Sequence, residues 1–276
     1  MVTMNKLSTA KRVAVVKALV EGCSIRSTVR MTGVSKNTIS KLLLQLGAAC
    51  ERYQHETLVD LSCKRLQADE IWSFVAVKDK NISEEQMKAG LGSVWTWTVI
   101  DADTKLIPSW RIGPRDAGTA YEFMQDVAGR LRNRVQLTTD GHRPYLQAVE
   151  AAFGTEIDYA MLQKIYGSDP GSETRYSPAV CIGCKAEDIS GSPDPKHVST
   201  SYVERQNLTM RMSMRRFTRL TNAFSKKLEN HAAAVALYFM YYNFGRVHQT
   251  LRVTPAMEAG VANHVWSVEE IVGLIA

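Results

Sequence analysis

Glu204 is an isolated acid within the strongly basic stretch 199–227. Before the next acid, Glu229, the chain carries seven basic residues: Arg205, Arg211, Arg215, Arg216, Arg219, Lys226 and Lys227. If this stretch is one helix, offsets of seven and eleven residues bring Arg211 and Arg215 onto the face of Glu204. A carboxylate below a ladder of arginines suits a metal ion held beside a phosphate backbone. A solvated basic amphipathic helix is the simpler alternative.

Two further carboxylates lie where a metal site could use them. Asp69 interrupts the apolar, strand-like run RLQADEIWSFVAVK, on the same face as Ile71, while Glu70 points to the other face. A charge in such a strand is costly unless it is paired or bound to a metal. Asp140 ends the strand-like VQLTTDG, where open α/β sheets bind ligands, although it could equally be a turn residue. Together with Glu204 these acids could bind two divalent cations, with Mg²⁺ or Mn²⁺ expected.

The elements that must carry these acids follow a βββ-α-β-α-β-α order. Alternating or apolar runs predict strands, and amphipathic runs predict helices from about 116 to 133 and over 144–154. The predicted strands are 65–78, 94–101, 105–113, 135–141 and 157–167. Periodicity alone supports only a mixed α/β fold. With three meandering strands first, the order resembles the ribonuclease H-like arrangement, and we expect that α/β fold, with a mixed five-stranded sheet and flanking helices, preceded by a small all-α domain.

The first fifty residues contain three short helical patterns. Ser8, Ser24 and Ser35 are good N-caps, and Gly22 and Gly33 end the first two helices. The segment SIRSTVRMTGVSKNTISKLL resembles a helix-turn-helix, although a valine stands where a small residue is usual. In that motif the start of the last helix enters the DNA major groove. The DNA-contact candidates are Lys36, Asn37, Thr38 and Lys41; a helical bundle used for dimerisation is the alternative.

Charge and composition favour a nucleic-acid partner. Net charge is +6 overall, but it is +7 over residues 1–50, −5 over 51–200 and +4 over 201–276. Basic ends around an acidic middle suit two contacts with a polyanion. The sequence contains no apolar run of 18 residues and no apolar signal core, and its five cysteines have no disulfide-framework spacing. We therefore expect a cytoplasmic, nucleoid-associated protein without a membrane partner.

The acidic motifs also resemble a known family. ADEIWSF, TTDGHRPY and YVERQNLTMR are similar to the three acidic motifs of DDE transposases, in particular the insertion sequence 1 (InsB-like) family. Glu204 is followed seven residues later by Arg211, as in the E-x6-K/R signature. YYNFGRVHQTLRVTP (241–255) is similar to a segment that closes many such catalytic domains. The interval from Asp140 to Glu204 is longer than is typical of the group.

This resemblance implies a two-metal-ion polynucleotidyl transferase with Asp69, Asp140 and Glu204 as its metal-binding catalytic triad. Its partners would be double-stranded DNA, as element ends and target, and further copies of the chain in a dimer or larger oligomer. The basic residues after Glu204 would contact DNA: Arg205, Arg211, Arg215, Arg216 and Arg219. Secondary candidates, equally suited to packing, are His142, Tyr145, Asn207, Arg246 and His248.

The predicted domains are a helix-turn-helix domain (1–50), a linker (51–64), a catalytic domain (65–260) and a C-terminal helix (261–276). An insert over about 168–198, rich in Gly, Ser and Pro, is expected to hold little regular structure. Within it Cys181, Cys184 and His197 lack a fourth ligand, so two inert thiols are expected in place of a zinc site.

Three other functions fit parts of the pattern. A DNA-binding regulator derived from a transposase would not need all three acids. A ribonuclease H-like nuclease that cuts without joining has little use for a sequence reader. A tyrosine recombinase could use Arg246 and His248 with Tyr241 or Tyr242, but it would leave the acids unexplained.

Overall fold

A computed structural model of the chain describes residues 7–88, 90–167, 180–218 and 222–275. In it a mixed sheet is flanked by helices. The strands are β1 (Arg65–Val75), β2 (Gly92–Asp101), β3 (Ser109–Gly113), β4 (Val135–Asp140), β5 (Ile157–Gly167) and β6 (Val180–Ser190). Their order across the sheet is β3-β2-β1-β4-β5-β6. Strands β4 and β5 run parallel to β1, and the other neighbours are antiparallel. This is the predicted ribonuclease H-like arrangement, with a sixth strand added.

The sixth strand corrects the expectation of little regular structure in the insert. Residues 180–190 of that segment form β6, which pairs antiparallel with β5. The first part, residues 168–179, lies outside the described residues. β6 follows no apolar alternation and is largely exposed, because it is an edge strand held by backbone hydrogen bonds and not by a buried face.

The N-terminal helices are α1 (Thr9–Val20), α2 (Ile25–Thr32) and α3 (Lys36–Thr57). The predicted serine N-caps each accept a backbone N–H from the first turn of their helix. α3 does not stop within the predicted 1–50 domain but continues through residues 51–57 of the predicted linker. Its buried stripe runs on to Gln54 because the second half of α3 packs against α8 (Leu228–Met240).

Among the remaining helices, those after β3 and β4 were predicted, whereas the short helix between β1 and β2 was not. The remaining helices are the short α4 (Glu84–Lys88), α5 (Ala117–Gly129), α6 (Pro144–Phe153), α7 (Ser201–Ser213), α9 (Pro255–Glu258) and α10 (Val268–Gly273). Single 3₁₀ turns span Asp79–Asn81, Pro195–His197 and Arg215–Phe217, and a π-helical turn spans Tyr241–Gly245. Within the predicted C-terminal segment, α10 packs on α1, where Lys17 and Glu269 form an ion pair of 3.0 Å.

The two faces of the sheet carry different helices. Gln67 and Asp69 face α7, because their side chains bond to residues of that helix. On the other face the buried Trp97 ring packs against Phe123 of α5 and Tyr145 of α6. Buried side chains of α1, α3, the sheet and α8 form one continuous core. The N-terminal helices are therefore packed onto the elements of the sheet. No helix of the described residues combines the length and apolarity needed to span a lipid bilayer.

Candidate active site

Three carboxylates meet at the end of β4. Ligand oxygens of Asp69, Glu70 and Asp140 all lie within 4.8 Å of one another. Ala68 is the last β1 residue paired with β4, so Asp69 comes level with Asp140 where β4 ends. Asp69 and Asp140 thus come together as the sequence predicted. Glu70 joins them although alternation placed it on the other face.

Glu70 reaches this cluster from the α6 side of the sheet. It pairs across the strands with Trp97, next to Tyr145, and its side chain is 1% exposed. β1 continues to Val75, beyond its last pair with β4. Past the end of β4 no strand backbone of the described residues separates the two faces at this edge of β1, so the Glu70 side chain can approach Asp140. The alternation prediction was correct, but it did not separate the two carboxylates. A charged residue in an apolar strand was the signal that could have identified Glu70.

Burial and mutual repulsion make two acids of this cluster, Asp69 and Glu70, hold their protons more tightly than free carboxyl groups do. Burial raises the pKa of Asp69 to about 7, with the nearby Asp140 adding to the effect. Burial, then Asp140 and Asp69, raise the pKa of Glu70 to about 7. The Arg115 guanidinium bridges the cluster, with Nε 3.2 Å from Glu70 Oε2 and a terminal nitrogen 3.5 Å from Asp140 Oδ2. Arg115 therefore offsets part of the negative charge that Glu70 and Asp140 bring to the cluster.

Glu204 lies in the same cleft but outside this tight group. The cleft measures about 930 Å³ and is lined by all four carboxylates and by the cations Arg115, Arg143, Lys164 and Arg211. Glu204 forms an ion pair with Lys164 and accepts a hydrogen bond from the Thr200 hydroxyl at 2.5 Å. It is close enough to contribute to the raised pKa of Asp69.

Helix α7 is anchored to β1 near Glu204. Gln67 Oε1 accepts the backbone N–H groups of Tyr202 and Val203, at 2.8 and 3.2 Å. These donors belong to the first turn of α7, where N–H groups have no partner within the helix. One turn further, Asn207 Nδ2 donates to Asp69 Oδ2 at 2.9 Å. Residues on β1 therefore fix the position of the helix that carries Glu204.

Several buried polar atoms around the acids have no hydrogen-bond partner among the described residues. They are Glu70 Oε1, His142 Nε2, Tyr145 Oη and Asn207 Oδ1. The Tyr145 hydroxyl interacts with Glu70 without good hydrogen-bond geometry. Buried polar atoms are normally paired, and the oxygens here are the ligands that Mg²⁺ and Mn²⁺ prefer. The residues present therefore fit a hard divalent cation.

The secondary candidates divide between this cleft and other regions. The His142 backbone N–H donates to Asp140 Oδ1 at 3.0 Å, and the His142 ring packs on Trp97, so it shapes the cleft wall. Arg246 and His248 do not line the cleft. The Tyr241 hydroxyl donates to Glu21 and the Tyr242 hydroxyl donates to the Lys105 carbonyl. Neither tyrosine lines the carboxylate cleft, so the arrangement does not support a tyrosine recombinase.

The predicted arginine ladder is interrupted. α7 ends at Ser213, Met214 is extended, and Arg215 begins a separate 3₁₀ turn. Arg211 lines the cleft with Glu204 as predicted, but the expectation that Arg215 shares their face is wrong. Arg205 is exposed on α7, and Arg219 lies outside the described residues. No glycine or proline in the sequence signals this early end of the helix.

The remaining basic candidates are distributed over another surface. Lys36, Asn37 and Lys41 are exposed in the first turns of α3, where Thr38 bonds to the cap residue Ser35. Arg215 and Arg216 line the same cavity as Lys36, Asn37 and Lys41. This cavity is separate from the carboxylate cleft.

Cys181 and Cys184 are exposed on β6, with their sulfurs 4.0 Å apart. His197 instead bonds to Arg65 and lies near Asp194. Among the described residues, these three side chains do not form a group that could hold a metal.

Comparisons with known proteins leave the family open. No protein-family model matches the chain, and neither does any curated protein. Among solved structures the chain is similar to one in a cryo-EM structure of a piggyBac transposase synaptic complex with hairpin DNA. The two are 11% identical, with a TM-score of 0.38 over 97% of this chain and 69% of that chain. A likeness this distant carries no functional argument, so function must be argued from the residues.

Proposed function

We propose that this protein is a DDE transposase of the insertion sequence 1 (InsB-like) type. It would bind the ends of its mobile element and catalyse metal-dependent phosphodiester cleavage and strand transfer. The observation that carries the proposal is the convergence of Asp69, Asp140 and Glu204 in one cleft, beside Arg211. Sequence motifs alone selected these residues, which lie far apart in the chain.

Asp69 and Asp140, with Glu204 completing the set, would hold Mg²⁺ or Mn²⁺. Bound there, such ions would lower the pKa of a water or a DNA 3′-hydroxyl and stabilise the leaving oxygen. Arg211 and Arg143 line the cleft, where their charge would hold DNA phosphates in place. Asn207 orients Asp69 through its 2.9 Å hydrogen bond. Arg115 limits the repulsion between Glu70 and Asp140 before a cation enters.

The test is cleavage and joining of DNA duplexes taken from either side of the gene, with Mg²⁺ or Mn²⁺ and a supercoiled target. We expect Asp140→Asn to abolish cleavage and joining while duplex binding persists. The matched control is Asp188→Asn, which removes an exposed carboxylate on β6 and should leave both intact. Undiminished cleavage by the Asp140 variant would refute the mechanism.

A DNA-binding regulator without strand transfer is the second candidate. The observation that favours it is that Glu204 pairs with Lys164 and lies outside the tight carboxylate group. A regulator would bind the same duplexes yet give neither cut nor joined products with either metal. Any metal-dependent product that disappears with Asp140→Asn would exclude this candidate.

A further inference from the structure

A large cavity among the described residues lies between the proposed helix-turn-helix and the sheet. It measures about 1350 Å³. One wall is formed by the α1–α2 turn and the first turns of α3. The other wall is formed by the end of α7, the 3₁₀ turn after it, and residues 222–230 at the start of α8. We call this cavity the interdomain cleft.

Positive charge dominates the interdomain cleft. Its lining includes seven basic residues, namely Arg26, Lys36, Lys41, Arg215, Arg216, Lys226 and Lys227, and two acids, Glu21 and Glu229. Glu229 is 3.5 Å from Lys227 and Glu21 accepts from the Tyr241 hydroxyl, so both acids already have partners. The cations come from both walls, and a polyanion between the walls would contact both at once.

Arg216 is the strongest sign of an anionic occupant. Its guanidinium donates to Ser225 Oγ at 2.7 Å, and no carboxylate of the described residues forms an ion pair with it. Desolvation lowers its pKa to about 10, so the group stays charged at neutral pH. The neighbouring His231 is buried, and burial and the arginine both lower its pKa. Arg216 is half-buried, and a cation removed from water without a counter-ion is costly. A phosphate would supply that counter-ion.

The two walls are held together by close backbone contacts. Gly22, with φ +78°, lies so near the end of α7 that a Cβ would come 2.5 Å from the Ser213 carbonyl oxygen. Gly47 of α3 approaches Ala233 of α8 equally closely. Contacts this close fix the start of α3 relative to the 3₁₀ turn after α7. The cleft is thus a built feature of the fold and not a gap between loosely joined domains.

We propose that the interdomain cleft binds the phosphate backbone of the same DNA duplex whose major groove receives the start of α3. The choice of DNA as the ligand rests on the proposed function. The phosphate-binding site in the interdomain cleft is an addition to that function. Phosphates flank the major groove, and phosphate contacts fix the register of a reading helix. The second wall would then act as a clamp supplied by the catalytic domain. Duplex RNA does not fit, because side chains cannot read its deep, narrow major groove.

The experiment measures metal-free binding of the full chain to a labelled 30-bp duplex from beside the gene, across a salt series in EDTA. The variant Arg215→Gln/Lys226→Gln removes two exposed cations from the catalytic wall only. We expect roughly tenfold weaker binding, and a slope of log affinity against log salt about one to two units shallower. A random duplex of equal length should lose as much affinity, because phosphates carry no sequence information.

The matched control is Lys80→Gln/Arg132→Gln, which removes two exposed cations away from the cleft and should leave affinity and slope unchanged. Adding Lys41→Gln, on the other wall, to the Arg215→Gln/Lys226→Gln variant tests whether both walls hold one duplex. If they do, the combined loss of binding free energy should differ from the sum of the separate losses. Equal slopes for wild type and the cleft variant would overturn the clamp, as would equally tight binding of an RNA duplex. A wild type that binds no duplex would instead contradict the proposed function.

Discussion

The ammonium group of Lys164 forms an ion pair with Glu204, the one acid of the proposed triad outside the tight carboxylate group. Lys164 lies on β5 and Glu204 on α7, and both side chains are partly exposed at the cleft. A metal ion that uses Glu204 must therefore compete with a cation already supplied by the protein.

Replacing Lys164 with glutamine should strengthen metal binding. The change removes the competing charge and makes the site more negative, so we expect the dissociation constant for Mn²⁺, measured without DNA, to fall about tenfold, or about 1.4 kcal/mol. Lys185→Gln, on the neighbouring strand β6, removes the same charge without touching Glu204 and should change little. Unaltered or weaker Mn²⁺ binding by the Lys164 variant would show that the ion pair does not compete with the metal.

The raised pKa values of Asp69 and Glu70 predict that the metal-free protein loses stability as pH rises. Between the ordinary carboxyl pKa near 4 and the folded value of about 7, the folded protein retains protons that the unfolded chain has released. Stability therefore declines over that window as pH increases. We expect Glu70→Gln to flatten the decline by on the order of 1–3 kcal/mol, measured by denaturant unfolding in EDTA.

Two comparisons make this pH prediction specific. Mg²⁺ should restore more stability at pH 8 than at pH 5, because ionised carboxylates bind it. Glu150→Gln, at an exposed site on α6, should keep the wild-type pH dependence. A Glu70 variant that retains the full decline would mean that the buried glutamate is not a source of it.

The hydrogen bonds between Gln67 and α7 predict that a Gln67 variant folds but holds Glu204 out of position relative to Asp69 and Asp140. Gln67→Leu preserves size yet leaves two N–H groups at the start of α7 without their acceptor. We expect a loss of about 1–3 kcal/mol in the free energy of unfolding and a larger fall in metal-dependent cleavage than in DNA binding. Gln136→Leu makes the same change on β4, away from the cleft, and should spare cleavage. Equal cleavage by both variants would contradict the positioning role.

Local sequence patterns predicted the sheet well because their causes are local. The alternation around Asp69 and the caps at Ser24 and Ser35 act within a few residues, and the structure retains them. The convergence of Asp69 and Asp140 followed from strand pairing, which the order of elements implies. The alternation and the caps needed no knowledge of distant contacts, and the pairing needed only the order of the strands.

The features that the sequence did not predict depend on tertiary contacts. β6 exists because β5 offers it an edge, although its composition resembles a loop. Glu70 joins the cluster because β4 ends before β1 does. Arg215 leaves the face of Glu204 because α7 ends at Ser213, without any local signal. In the first two cases a neighbouring strand decides the outcome. In the third the helix ends at a residue that the local sequence does not mark.

The close approach of α3 and α8 yields a prediction about how the N-terminal helices are attached to the rest of the chain. A Cβ at Gly47 would lie 2.5 Å from both Cα and Cβ of Ala233, so Gly47→Val must push the two helices apart. Overpacking of this kind costs typically about 1–3 kcal/mol. Ala48→Val, at the next and exposed position of α3, adds the same branched side chain without the clash and controls for helix propensity. Because α3 also carries the DNA-contact candidates, we expect the Gly47 variant to lose stability in denaturant unfolding and also duplex affinity. If Gly47→Val is no less stable than Ala48→Val, the two helices do not pack this closely, and the N-terminal helices move independently of the sheet.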